Sequence, residues 1–168
     1  AASMPERSRP GSMTTTDSFQ ETPMFKHLLL PTDGSELSEA ATRQGLRFAK
    51  EWRARVTGVS VTPEFHVLTF NTAMIEDTKQ VFLAESRDQA KANLARLKKA
   101  ADEEGVPCDI EIVVSDHPYQ AIIRVAESQG CDLIMMASHG RHGVQAVLLG
   151  SETQKVLAHT RIPVLVYR

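Results

Sequence analysis

The chain has 168 residues, 42% hydrophobic and 24% charged, which suits one folded domain with a sizeable core. A formal net charge of −2 gives no electrostatic reason to expect a nucleic-acid or anionic-membrane partner. No apolar run approaches the ~20 residues of a membrane span, no signal-peptide core precedes the folded part, and Cys108 and Cys131 make no disulfide framework, so a cytoplasmic setting is expected.

Residues 1–23 are rich in Ser, Thr, Pro, Glu and Arg and lack periodicity. They are expected to form a disordered leader, with residues 1–3 a cloning remnant and Met4, Met13 and Met24 as candidate natural starts. The folded part, 24–168, then alternates. Residues 25–31 form an apolar run and predict a buried strand. From Ser35 to about Trp52, Leu37, Ala40, Ala41, Gly45, Phe48, Ala49 and Trp52 fall at helical spacing, with Ser35 as N-cap and Glu36 and Glu39 in the first turn. Residues 55–61 are β-rich through Val56, Val59 and Val61, and 62–76 read as a long loop. A long helix over 77–104 carries the stripe Ala90, Leu94, Leu97 and Ala101 and stops at Gly105, with Pro107 beyond. Its charges, including Arg87, Lys91, Lys98 and Lys99, read as a solvated face.

Residues 108–114 predict a third strand. Asp116 can cap the next helix, with Pro118 in its first turn and Ile122, Val125 and Ala126 buried, running to Gly130. A strand over 131–136, a glycine-rich loop, a helix over 151–160 and a strand over 163–167 complete the chain. Both cysteines sit in or beside buried strands, as small hydrophobes. Five strands alternating with four helices predict an α/β fold: a parallel sheet with helices on both faces and right-handed crossovers. Ligands of such folds bind at the carboxyl ends of the strands, where strand order reverses. Two loops leave those ends, Pro31-Thr32-Asp33-Gly34-Ser35 after strand one and the glycine loop after strand four, and they share a crevice if the two strands are neighbours.

The stretch 137–151, Ala-Ser-His-Gly-Arg-His-Gly-Val-Gln-Ala-Val-Leu-Leu-Gly-Ser, carries most of the functional signal. Gly140, Gly143 and Gly150 let backbone approach a ligand, and Gly150-Ser151 sits at a helix start whose unpaired N–H groups and dipole favour phosphate. Asp33 is open to two readings, a ligand contact or a side chain that holds its own loop. Arg141 could pair with terminal phosphates or could equally be a solvated loop charge. His139 and His142 have H-x-x-H spacing without a third metal ligand, so polar loop residues are the better reading. Ser138, His139 and Asp33 lack the G-x-S-x-G elbow of a hydrolase, and no P-loop motif is present, so no catalytic residue is assigned and any phosphoryl-transfer turnover is expected to be slow. Met74 and Met135 read as packing, with Met136 at a strand end beside the crevice.

The 31–35 loop, the 137–151 loop and the closing Pro163-Val164-Leu165-Val166 together resemble the universal stress protein family across the whole of 24–168. The family's nucleotide signature, Gly-x2-Gly-x9-Gly-Ser/Thr, is met by Gly140, nine residues, Gly150 and Ser151, with Ala137 standing where the first glycine would be. The resemblance implies a Rossmann-like fold of the adenine nucleotide alpha hydrolase type, strand order 3-2-1-4-5, and a homodimer built on the last strand, 163–167. It also implies binding of ATP, alone or with Mg2+, in a regulatory or stress-response role. Carried over by position, Pro31 and Thr32 flank Asp33, which would reach the adenine amino group, and Val61 would offer backbone to the adenine edge. Met136 and Ala137 would face the ribose. Backbone at Gly140, Gly150, Ser151 and Glu152, with the Ser151 hydroxyl, would hold phosphates, and Gly143 and Arg141 lie in the same loop. Two rivals remain: an adenylyl- or phosphoryl-transfer enzyme on a related fold, which needs a general base or second substrate pocket that the sequence does not display, and a dimerisation module with an empty site, which would have lost Asp33 or Gly150-Ser151.

Overall fold

A computed structural model describes residues 24–66, 72–140 and 149–168, with side chains of 72–78 outside the description. The expected leader, 1–23, lies outside the described residues. The elements run β1 (His27–Pro31), α1 (Glu36–Trp52), β2 (Arg55–Thr62), α2 (Thr72–Glu104), β3 (Cys108–Val114), α3 (Pro118–Ser128), β4 (Leu133–Ala137), α4 (Ser151–His159) and β5 (Val164–Tyr167). The five strands form one parallel sheet in the order β3-β2-β1-β4-β5, as the resemblance implied.

β1 is central and shows why the sheet has two covered faces. Leu28 and Leu30 point to one side, where Leu46 and Ala49 of α1 and Leu97 and Ala101 of α2 enclose them. Leu29 points to the other, against Ile122, Val125 and Ala126 of α3 and Val156 of α4. All three leucines are fully buried, so a one-residue slip of β1 would exchange its two faces. The stripe Ala90, Leu94, Leu97 and Ala101 is buried as its spacing predicts.

Several boundaries differ from the sequence reading. α2 starts at Thr72 and not at 77: nothing from 72 to 76 is Gly or Pro, so the helix continues N-terminally although its apolar pattern has faded. β1 starts at His27 because the Asp132 carboxylate accepts the N–H groups of Lys26 and His27, at 2.8 and 2.9 Å, and fixes the turn before β4. Cys131 likewise belongs to that turn, its N–H closing α3 on the Ala126 carbonyl at 2.8 Å, so β4 begins only at Leu133. α3 ends at Ser128, short of Gly130. Asp116 is not its cap: His117 holds the N-cap position without a side-chain bond, and the Asp116 carboxylate instead accepts the Glu64 N–H at 3.0 Å and contacts His66 Nε2. Ser35 does cap α1, its hydroxyl accepting from the Ser38 N–H at 3.3 Å.

Candidate functional site

β1 and β4 pair directly, Leu28 with Leu133 and Leu29 with Ile134, so the loops that follow them leave the sheet side by side. This is where the order reverses, with β2 on one flank of β1 and β4 on the other.

After Pro31, Thr32 remains tied to the sheet through its N–H on the Val59 carbonyl, 2.9 Å. The Asp33 Oδ1 accepts from the Ser35 N–H at 3.0 Å and from the Ser35 hydroxyl at 2.7 Å, an Asx turn that sets the entry to α1. Gly34 has φ +76°, a left-handed conformation glycine adopts without steric strain. Oδ2 points to the glycine loop: a Cβ on Gly140 would lie 2.4 Å from it. Asp33 therefore holds its own loop with one oxygen and meets the opposite loop with the other.

That opposite loop begins where β4 ends. Ala137 is buried, pairs with Tyr167 and does not have positive φ, so alanine fits where the family signature has glycine. The Gly150 N–H donates to the Ser138 carbonyl at 2.7 Å and closes the loop base. A Cβ on Gly150 would sit 3.2 Å from His139 Cα and 3.3 Å from the Ser138 carbonyl oxygen, both backbone atoms that cannot swing aside. Gly150 thus contributes space while its own N–H is engaged. It caps α4 without a side chain, which leaves the amides of Ser151 and Glu152 at the positive end of the helix dipole without a capping side chain. The Glu152 carboxylate turns away, accepting the Tyr119 N–H at 2.9 Å and Lys155 Nζ at 2.7 Å, and so supplies the cap that His117 does not give α3. Arg141 and Gly143 lie outside the described residues.

Between the two loops opens a cleft of about 800 Å³, within the size range of small-molecule sites. Pro31, Thr32, Asp33, Val61, Met136, Ala137, Gly140, Gly150, Ser151 and Glu152 all line it. In the parallel ladder the Thr62 carbonyl faces β3, accepting from Ser115, while the Val59 carbonyl faces β1, accepting from Thr32. By alternation the peptide groups of Val61 face the β1 side, past Pro31, which pairs with Val59. The wall that the sequence reading missed is α2: Ser86, Gln89, Ala90 and Asn93 border the cleft at i, i+3, i+4 and i+7. Asn93 is buried, 5% exposed, on a stripe otherwise filled by Ala90, Leu94 and Leu97. A polar residue on an apolar stripe was the available signal.

Ser138 is 1% exposed and does not border the cleft, so it is not placed as a nucleophile, although its hydroxyl does meet His139 Nδ1 at 3.1 Å. His142 lies outside the described residues. Among the described residues the one group with metal-ligand chemistry is Glu64, His66 and Asp116, exposed and separate from the H-x-x-H pair. The hydrogen bond from His66, followed by that from the Glu64 N–H, holds the Asp116 carboxyl below its ordinary pKa.

Comparison with known proteins agrees with this architecture. The family model described as "Universal stress protein family" matches residues 24–168. Universal stress protein MJ0577 of Methanocaldococcus jannaschii is 30% identical over 156 residues, covering 86% of this chain and 96% of its own length. The solved structure of MJ0577 superposes with a TM-score of 0.73 over the same shares of the two chains. Two more distant structures share the fold: a universal stress protein in complex with cAMP (20% identity, TM-score 0.63, covering 86% of this chain and 97% of that one), and one from Archaeoglobus fulgidus in complex with dAMP (16%, 0.62, 87% and 99%). With the family model spanning residues 24–168 and the strand order as expected, the chain belongs to the universal stress protein family.

Proposed function

We propose that the cleft binds an adenine nucleotide, ATP in particular, and that occupancy regulates the protein and does not drive turnover. The observation that carries this reading is the meeting of Asp33 Oδ2 with Gly140 beside an α4 N-terminus that has no capping side chain. The cleft then offers a carboxylate acceptor for an exocyclic amine together with backbone amides for phosphates. The closeness of backbone behind Gly150 supports a cradle that any side chain would fill. The cAMP and dAMP complexes of proteins with this fold support the choice of an adenine base.

In this reading Val61 offers its backbone to the base, Met136 and Ala137 flank the ribose, and Ser151 and Glu152 hold phosphate through their amides, with the Ser151 hydroxyl as a further donor. Pro31 and Thr32 shape the wall beside Asp33. Gly140 and Gly150 provide room, and the Arg141 guanidinium, in the same loop as Gly143, would pair with the terminal phosphate. Mg2+ would ride on the phosphate oxygens. β5 is an edge strand with Leu165 39% exposed, and pairing with a second copy across a two-fold axis would cover it, which supports a homodimer through 163–167.

Isothermal titration with ATP and GTP, with and without Mg2+, tests the site. Binding with a preference for ATP is expected. No heat and no thermal shift at millimolar ATP would overturn the reading, and equal affinity for GTP would overturn the role of Asp33. Phosphate release on the order of 1 s⁻¹, an ordinary enzymatic rate, would favour the enzyme reading. Sedimentation should show a dimer that a charge at Leu165 dissociates.

A further inference from the structure

The α2 wall of the cleft contains a group that the family resemblance did not assign. Asn93 is 5% exposed, yet it borders the cleft. Its Oδ1 accepts from Arg96 Nη2 at 2.9 Å and from Gln89 Nε2 at 3.0 Å. A guanidinium can only donate, so the Arg96 contact fixes which amide atom is oxygen, and Arg96 is itself held by Glu39 through Nε at 2.7 Å. The amide nitrogen is left with two N–H donors and no hydrogen-bond partner among the described residues. It is not sealed in the core either, since the one buried, unpartnered side-chain polar atom among those residues is Thr42 Oγ1. The donor side of a buried, oriented amide therefore opens on the cleft.

Its position relative to Asp33 is tight. A Cβ on Gly34 would fall 2.3 Å from Asn93 Oδ1 and 2.9 Å from Nδ2, so the absence of a side chain at 34 lets the amide stand directly against the Asp33 loop. The loop that carries the Asp33 carboxylate and the amide that carries a neutral donor thus meet at Gly34, and both border the cleft. Adenine presents the complementary pattern: an exocyclic amine that donates, flanked on either side by a ring nitrogen that accepts. The Val61 peptide, facing the cleft from β2, can serve one flank. On the reading that the cleft holds an adenine nucleotide, we infer that Asn93 Nδ2 donates to the other ring nitrogen flanking the amine, making Asn93 a specificity-determining residue of the base pocket.

The test is Asn93→Asp, which keeps an oxygen for Arg96 and Gln89 and removes the donor, examined against ATP, 1-deaza-ATP and 7-deaza-ATP by isothermal titration. Both analogues keep the amine and each lacks one flanking nitrogen. The unmutated protein should bind each analogue about three- to tenfold more weakly than ATP, the weight of one neutral hydrogen bond. In Asn93→Asp one of those penalties should vanish and the other remain. The new carboxylate repels the lone pair of the ring nitrogen it faces but not the C–H that replaces it, so the matching penalty disappears or reverses, whereas its effect on the phosphates is common to all three nucleotides and a purely structural role for Asn93 would leave both penalties intact. Both penalties surviving, both vanishing, or neither being present in the unmutated protein would overturn the assignment while ATP binding still stands. Failure of the unmutated protein to bind any of the three would overturn the nucleotide reading and this inference with it.

Discussion

Replacing Gly140 with alanine tests whether the two loops work as one unit. Gly140 does not have positive φ, so its backbone tolerates alanine, and the obstacle is Asp33 Oδ2, 2.4 Å from where the new Cβ would lie. Ordinary contact begins near 3.4 Å, so the carboxylate must retreat by about 1 Å. It cannot do so freely, because Oδ1 is held by the Ser35 N–H at 3.0 Å and its hydroxyl at 2.7 Å. Moving it weakens hydrogen bonds to a charged group, each worth about 1.5–3 kcal/mol when fully formed. Asp33 is half-exposed and water restores part of this, so a stability loss of about 1–2 kcal/mol is expected. Affinity for ATP should fall about tenfold to a hundredfold as the acceptor for the amine leaves its place. The decisive arm is the double mutant. In an Asp33→Ala background no carboxylate meets the new Cβ, so Gly140→Ala should add almost nothing to either stability or affinity. Urea unfolding and isothermal titration on the four proteins complete the cycle. Equal and additive losses in both backgrounds would refute the contact as the reason for glycine at 140.

Three other outcomes follow from the packing and the titratable groups. Burial, reinforced by the Arg55 charge, holds the His27 pKa below 6.5, so the unfolded chain binds a proton that the folded one refuses and stability should fall as pH drops below about 6.5. Urea midpoints between about pH 7.5 and 5.5 should show this slope reduced in His27→Gln, and an unchanged slope would remove His27 as its source. Burial pushes the Cys131 thiol up to about 12 and the Cys108 thiol up to about 11, so at about pH 8 the thiolate fraction is about a thousandfold lower at Cys131 and about a hundredfold lower at Cys108 than in urea, alkylation should be slowed by up to those factors, and rapid native labelling of Cys131 would contradict its burial. Gly58→Ala would bring a Cβ 2.8 Å from Leu97 Cδ1 and 3.4 Å from Leu94 Cδ2, and it should destabilise by about 1–3 kcal/mol in denaturant unfolding, whereas an unchanged midpoint would mean the core there can yield.

The sheet was legible because its signals are local and repeated. Leu28-Leu29-Leu30 and Val56, Val59 and Val61 read as buried strands from composition alone, and the α2 stripe reads from its spacing. Strand order was not readable from periodicity and came from the resemblance carried by the Asp33 and Gly150-Ser151 loops. Boundaries moved where a distant side chain decides them: Asp132 fixes the start of β1 across a separation of more than 100 residues, and Glu152 caps α3 in place of the nearby Asp116. In the site, the sequence could name Asp33 but could not tell that its two oxygens have different tasks. It placed the backbone at Gly150 in a phosphate cradle but could not show that the N–H there also closes the loop on the Ser138 carbonyl. Asn93 escaped because helical spacing places it on the stripe but does not reveal that this end of the stripe leaves the core for the cleft.

The central place of β1 also constrains how the chain reaches this structure as it is synthesised. β1 emerges first among the strands, yet its neighbour β4 is about 100 residues later, and the bond from the Lys26 N–H to Asp132 spans 106 positions. Until β4 arrives, one row of β1 backbone groups has no strand beside it, and the apolar leucines on either side of it lack part of their cover. Such long-range parallel pairing is slow and exposes aggregation-prone edges. The Asp33 loop forms early and the α4 amides form late, so a ligand that needs both can stabilise only chains that have closed the β1–β4 seam. A nascent chain stalled before Leu133 would therefore depend on chaperones for protection, and added nucleotide could not rescue it.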